Sequence, residues 1–181
     1  MSKLIHMKET RLWDEANERF ITVPETSFRV EHSLVSISKW ESIWHKQFLN
    51  KQHNAKELLS YIECMCITQN VPSYIFYCMP SETIKEITDY MTDPMSATVI
   101  TRVGNRKGGQ GPGLTSEVMY YYMFMFNIPK ECEKWHINRL IKLIEVFDEM
   151  QQPQKKMSAQ DTARLYSKIN AQRRAALHSK G

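Results

Sequence analysis

The sequence predicts a mainly α-helical protein, a multi-helix single domain over residues 1–150 with a small N-terminal β-ribbon and a conditionally helical C-terminal tail over residues 151–181. Apolar residues recur at helical spacing through most of residues 38–150. The chain has 181 residues, of which 42% are hydrophobic. That is enough to bury one core but scarcely two. Its six glycines and seven prolines are too few for a disordered or fibrous chain.

The N-terminal segment has the pattern of strands. Residues 4–7 and 20–23 are short apolar runs, and residues 28–32 alternate between apolar or aromatic and charged side chains. This period of two is typical of half-buried strands. The second run ends at Pro24, where the chain can turn back, so we expect a small β-ribbon.

Capping signals predict the first two helices. Ser38 and Glu41 have capping-box spacing, which predicts a helix from there to about Leu49. Asn54 and Glu57 repeat the signal for a second helix. The second helix has its apolar residues at Leu58, Ile62 and Met65.

The middle of the chain is broken by prolines. Val71-Pro72 ends the second helix, and residues 74–79 form an apolar connection whose conformation the pattern leaves open. Pro80 suits the first turn of a third helix, which Asp93-Pro94 ends. Residues 97–103 are compatible with a short strand. The expected buried stripe of the third helix is Ile84, Ile87 and Met91.

Residues 104–113 form a glycine-rich loop that holds five of the six glycines. We interpret it as a mobile surface loop, and the alternative is a loop that orders on meeting a partner. In a P-loop the final glycine is followed directly by Lys and then by Ser or Thr. That pair is missing here, so the loop lacks the phosphate-binding pattern. The residues at its centre are Arg106, Lys107, Gly108 and Gly109.

Two further helices are expected to complete the domain. Residues 118–126 are apolar all round, as expected for a central helix surrounded by others. At nine residues this run is well short of the roughly 20 needed for a membrane span. The last helix of the domain is predicted from about Pro129 to Met150. Its expected buried stripe is Ile137, Leu140, Ile141, Ile144 and Phe147.

The positive charge is concentrated in the tail. Residues 151–181 hold seven Lys and Arg side chains and one Asp, a charge of +6, whereas residues 1–150 hold 17 basic and 19 acidic side chains, a charge of −2. Ser158 and Asp161 can cap a final helix whose apolar face is thin. We expect this tail to fold against an acidic partner or an anionic surface, and the alternative is a solvated extension. The candidate partner-binding residues are Lys155, Lys156, Arg164, Tyr166, Lys168, Ile169, Arg173, Arg174 and Leu177.

Residues that could carry chemistry are sparse. Cys64 and Cys66 lie about 200° apart on a helix, so they do not readily share a metal, and Cys78 and Cys132 are distant. Packed thiols inside a reducing cell are the expectation. His136 is expected to be packed rather than to act as a base. With no catalytic triad, paired carboxylates or metal-binding pattern, we predict no enzymatic activity, metal or cofactor.

Three stretches resemble a known family. They are EHSLVSISKWESIWHKQFL at 31–49, TSEVMYYYMFMFNIPKECEKWHINRLI at 115–141, and PQKKMSAQDTARLYSKINAQRRAALHSKG at 153–181. All three resemble small proteins of tailed bacteriophages that are commonly assigned as tail assembly chaperones. The resemblance implies a holdase that coats the tape measure protein in the host cytoplasm. Some members of that family are also made in a frameshifted form that is extended at the C-terminus, and for this chain the codons of Lys155-Lys156 would be the place to look.

Two other functions stay open at this point. One is a structural virion protein of the tail or head-to-tail junction, with the tail inserted into a neighbouring subunit. The other is nucleic-acid binding through Arg164, Lys168, Arg173 and Arg174, which predicts affinity that falls steeply with salt. The acidic domain and the lack of interleaved aromatics disfavour the latter. Homo-oligomers are compatible with the sequence.

Overall fold

The computed structural model describes residues 2–15, 17–99 and 113–151, together with residues 163, 166, 167, 169 and 170. In these residues the protein is mainly α-helical with a small β element at its N-terminus, which confirms the predicted class. The strands are β1 Lys3–Met7, β2 Thr10–Asp14, β3 Arg19–Val23 and β4 Thr26–Val30. The helices are α1 Leu34–Trp44, α2 Ala55–Met65, α3 Ser73–Tyr77, α4 Ser81–Thr92, α5 Ser116–Met125 and α6 Ile137–Gln151.

The four strands form one interrupted hairpin. β1 pairs antiparallel with β4, and β2 pairs antiparallel with β3. In both pairs the numbers of facing residues add up to 33, as in Met7 opposite Thr26 and Thr10 opposite Val23. The register is therefore continuous across the break at Pro24, which has no N–H to donate to a ladder. The predicted ribbon is confirmed, and β2 is a strand that the sequence pattern did not reveal.

The inner half of the hairpin packs on the helices. Ile5, Met7, Phe28 and Val30 are buried on one face. The Phe28 ring contacts Phe76 of α3 edge-on, with centroids 5.4 Å apart. Period-two burial in β1 and β4 thus joins the ribbon to the helical core.

The first helix begins earlier than its predicted capping box. Ser33, not Ser38, is the N-cap of α1, and the Ser36 hydroxyl accepts a hydrogen bond from the Ser33 N–H at 3.1 Å. α1 ends at Trp44, and its C-cap His45 has a left-handed φ of 51°, so the predicted end at about Leu49 is wrong. The predicted Ser38 and Glu41 box is wrong because the Glu41 carboxylate accepts hydrogen bonds from backbone N–H groups further along the chain.

The second capping box is confirmed. The Asn54 side chain accepts from the Glu57 N–H at 2.9 Å, and Glu57 accepts from the Asn54 N–H at 3.1 Å. Residues 73–77 of the unsettled connection form the short helix α3. Pro80 is the N-cap of α4 rather than a residue of its first turn. The expected strand at 97–103 is wrong for residues 97–99, which have no regular structure, and its other residues lie outside the described part.

The last helix of the domain begins later than predicted. Residues 130–134 form a single 3-10 turn, and His136 forms an isolated bridge with Ser33. The N–H of Ile137 donates to the His32 carbonyl at 2.8 Å. This pairing with the segment before α1 holds residue 136 extended, so the α-helix cannot start at Pro129.

One hydrophobic core connects the ribbon with the helices. The chain divides into two units, Met1–Asp148 and Glu149–Gly181. Within the residues that the structure describes, no helix is long and apolar enough to cross a membrane. The largest fully buried side chains of the core are Trp40, Tyr61, Phe28 and Phe76.

Candidate functional site

A buried polar network lies where the ribbon meets the helices. The Tyr61 hydroxyl hydrogen-bonds Nδ1 of His32 at 2.5 Å and Oγ of Ser36 at 3.0 Å. The ring of His136 contacts His32 edge-on at 5.0 Å between centroids, and its Nε2–H donates to the Tyr90 carbonyl at 3.0 Å. All five side chains are buried. A substrate cannot reach them, so we assign the network a structural role.

Burial sets the charge of both histidines. It lowers the pKa of His32 to about 3, with the neighbouring His136 adding to the effect. Burial also lowers the pKa of His136. Nδ1 of His136 accepts the N–H of Asn138 at 3.3 Å. Both rings are therefore neutral at neutral pH, and His136 is packed and hydrogen-bonded as the sequence predicted.

The Glu41 carboxylate joins distant parts of the chain. One oxygen accepts the Phe48 N–H at 2.9 Å, and the other accepts the Ser116 N–H at 2.7 Å. Ser116 is the first residue of α5. The first turn of a helix has N–H groups without a partner in the helix, and the helix dipole favours a negative charge there. Glu41 thus fixes α5 against α1, and its role in the fold is structural.

The cysteines and acidic residues of the described part were the other candidates for chemistry. Burial raises the pKa of the Cys64, Cys66 and Cys132 thiols, which keeps them protonated at neutral pH. Over the described residues, no group of three His, Cys, Asp or Glu side chains is placed to hold a metal ion. Glu57 is paired with Lys46 at 2.5 Å, and this bond lowers the pKa of the carboxyl.

The candidate site is the exposed face of α5. Tyr121, Phe124 and Met125 are 61%, 73% and 51% exposed, whereas Met119 and Met123 on the opposite face are buried. The sequence-based prediction that other elements surround this helix is therefore wrong. An all-apolar helix has no polar stripe to show which side faces water, so the pattern could not reveal this face.

An apolar groove lies between α5 and α6, on the side of α5 that carries Met119 and Tyr122. It has a volume of about 210 Å³, and Leu114, just before α5, also lines it. The Tyr122 ring lines it, and Glu145 and Asp148 of α6 contribute acidic groups. Further along, Phe126, the C-cap of α5, stacks on Phe147 of α6, with centroids 5.3 Å apart. The apolar lining consists of Leu114, Met119, Tyr122, Ile141 and Ile144.

Most of the partner-binding residues predicted from the sequence lie outside the described part. Of the tail set, the structure describes Tyr166 and Ile169, which are both helical, and Tyr166 is exposed. The structure therefore does not test whether the predicted tail residues form one site. Those outside the described residues are Lys155, Lys156, Arg164, Lys168, Arg173, Arg174 and Leu177 of the tail, and Arg106, Lys107, Gly108 and Gly109 of the loop.

Comparison of the chain with protein-family models, curated proteins and solved structures finds no match. The candidate site is therefore defined by its geometry. It consists of the exposed aromatic and methionine side chains of α5 and, on the other side of that helix, the apolar groove between α5 and α6.

Proposed function

We propose that the protein is a non-catalytic chaperone that holds a helical segment of a phage tail protein, the tape measure protein, during tail assembly. The observation that supports this is the exposed stripe of Tyr121, Phe124 and Met125 on α5. Aromatic and methionine side chains are typical of adaptable protein-binding surfaces. Contiguous exposed apolar side chains mark interaction sites more often than isolated ones do.

The groove favours a particular kind of client. An amphipathic helix can place apolar residues spaced three or four apart into a groove between two helices. The resemblance of residues 31–49, 115–141 and 153–181 to phage tail chaperones supports the choice of the tape measure protein as that client.

The test is co-expression with the tape measure protein, followed by a binding measurement on the purified pair. We expect the chaperone to raise the soluble fraction of its client. Phe124→Ser should weaken binding at least about tenfold, because burying a Phe side chain contributes about 2 kcal/mol or more. Ile43→Ser is the matched control, because Ile43 is an apolar side chain of α1 that is 63% exposed.

Two further arms complete this test. Deletion of residues 151–181 should weaken the complex if the basic tail also contacts the client. Mass spectrometry of purified virions should find the protein absent or scarce, whereas a stoichiometric amount would indicate a structural virion component. The proposal is wrong if the client stays insoluble and if Phe124→Ser and Ile43→Ser bind it equally well.

A further inference from the structure

The outer half of the hairpin, strands β2 and β3, carries exposed aromatic residues away from the candidate site. We call these two strands the arm. Trp13 and Phe20 face each other across it, are 52% and 68% exposed, and contact edge-on with centroids 5.0 Å apart. Val23 is buried at the base of the arm. A two-stranded ribbon is marginally stable in water by itself, so an additional strand would stabilise the arm.

The edge of β2 is the open side of the arm. Among the described strands, β2 and β3 pair only with each other, so each has one edge without a strand partner. Proteins commonly protect such edges with Pro or with charged side chains, Lys above all. β3 runs directly into Pro24, whereas Thr10–Asp14 contains no Pro or Lys, and its charged residues are Arg11 and Asp14.

We propose that β2 pairs antiparallel with β2 of a second copy of this chain, about a two-fold axis at Leu12. This is the symmetric register in which all five residues of the strand overlap. It places Leu12 opposite Leu12 of the second copy, and Arg11 opposite Trp13 of the second copy. Directly opposite residues lie on the same face of a sheet, so Arg11 can lie over the indole ring.

Charge and exposure favour a second copy as the occupant. Arg11 is exposed and forms no ion pair or hydrogen bond with another side chain of the described residues, and Trp13 is half exposed beside it. The two-fold axis forms the contact between Arg11 and Trp13 twice, since each copy supplies one Arg11 and one Trp13. Shifting the axis to residue 11 would instead set two arginines against each other, which is unfavourable.

The expected dimer is weak and reversible. Five residues from each strand bury much less than the roughly 1,200–2,000 Å² of a stable interface. We therefore expect a dissociation constant on the order of 10–100 µM. The proposal concerns β2, and it does not depend on α5 binding a client.

Cysteine crosslinking of the full chain tests the strand order. Leu12 and Ile21 face each other across the arm, so Leu12→Cys and Ile21→Cys form a matched pair of variants. In the proposed dimer only residue 12 meets its own copy, at a spacing that suits a disulfide, while the two copies of residue 21 are separated by two intervening strands. Under mild oxidation at 100 µM, Leu12→Cys should give a covalent dimer, and Ile21→Cys and the unchanged chain should not.

Sedimentation equilibrium supplies the second measurement. Arg11→Glu removes both arginine–tryptophan contacts from an exposed position, and we expect the dissociation constant to rise at least about tenfold. Circular dichroism checks that each variant is folded. A monomer at all concentrations up to 500 µM would overturn the proposal. So would crosslinking through residue 21 as fast as through residue 12, or an unchanged dissociation constant for Arg11→Glu.

Discussion

Acidification should unfold this protein through His32. The side chain is buried and neutral, and its pKa falls from 6.5 to about 3 in the folded state. Below pH 6.5 the unfolded chain binds a proton that the folded chain does not, so stability decreases as pH falls from 6.5 towards 3. Each pH unit in this window removes about 1.4 kcal/mol. Between pH 6.5 and 5 the loss from His32 is therefore about 2 kcal/mol.

Urea unfolding followed by circular dichroism at pH 7, 6 and 5 measures this loss. His32→Gln removes the titrating group and keeps an oxygen that can accept the Tyr61 hydroxyl hydrogen. The free energy of unfolding of His32→Gln should fall about 2 kcal/mol less than that of the unchanged chain between pH 7 and 5. His6→Gln, which removes an exposed imidazole, is the matched control. If both variants follow the same pH dependence, His32 is not the group responsible.

Two mutations test the packing between helices. Glu41→Ala leaves two buried backbone N–H groups without an acceptor, so the free energy of unfolding measured by thermal denaturation should fall by about 3–5 kcal/mol. Glu41→Gln should cause a smaller loss. A loss below about 1 kcal/mol for Glu41→Ala would contradict the assigned role. A Cβ at Gly113 would lie too close to the side-chain oxygen of Gln47. Gly113→Ala should therefore cost about 1 kcal/mol by displacing a flexible side chain, and combining it with Gln47→Ala should remove most of that cost. Purely additive losses in this pair would refute the contact.

Local signals predicted local structure well. The Asn54 and Glu57 capping box depends on residues three apart, and it forms as expected. The ribbon followed from alternation in residues 28–32 and from Pro24. The predicted Ser38 and Glu41 box does not form, because Glu41 bonds to residues 7 and 75 positions further along the chain, and Ser33 caps α1 instead.

The candidate site could not be predicted from the sequence for a similar reason. Residues 118–126 have no polar side, and only the packing of Met119 and Met123 decides that Phe124 faces water. β2 was missed because Arg11 and Trp13 lie on its exposed face, so burial does not produce a clear apolar alternation. Both errors concern apolar side chains that the folded protein leaves exposed.

The bonds of Glu41 also constrain the order in which the chain can be completed during synthesis. The ribosome releases the ribbon and the first four helices before Ser116 emerges. Until then, Glu41 lacks the second of its two backbone donors. The early chain therefore carries an acidic group that attracts the amino end of the next helix as it leaves the exit tunnel. When α5 emerges, the Ser116 N–H fills that position, so a helix synthesised later completes the hydrogen bonds of a residue synthesised much earlier.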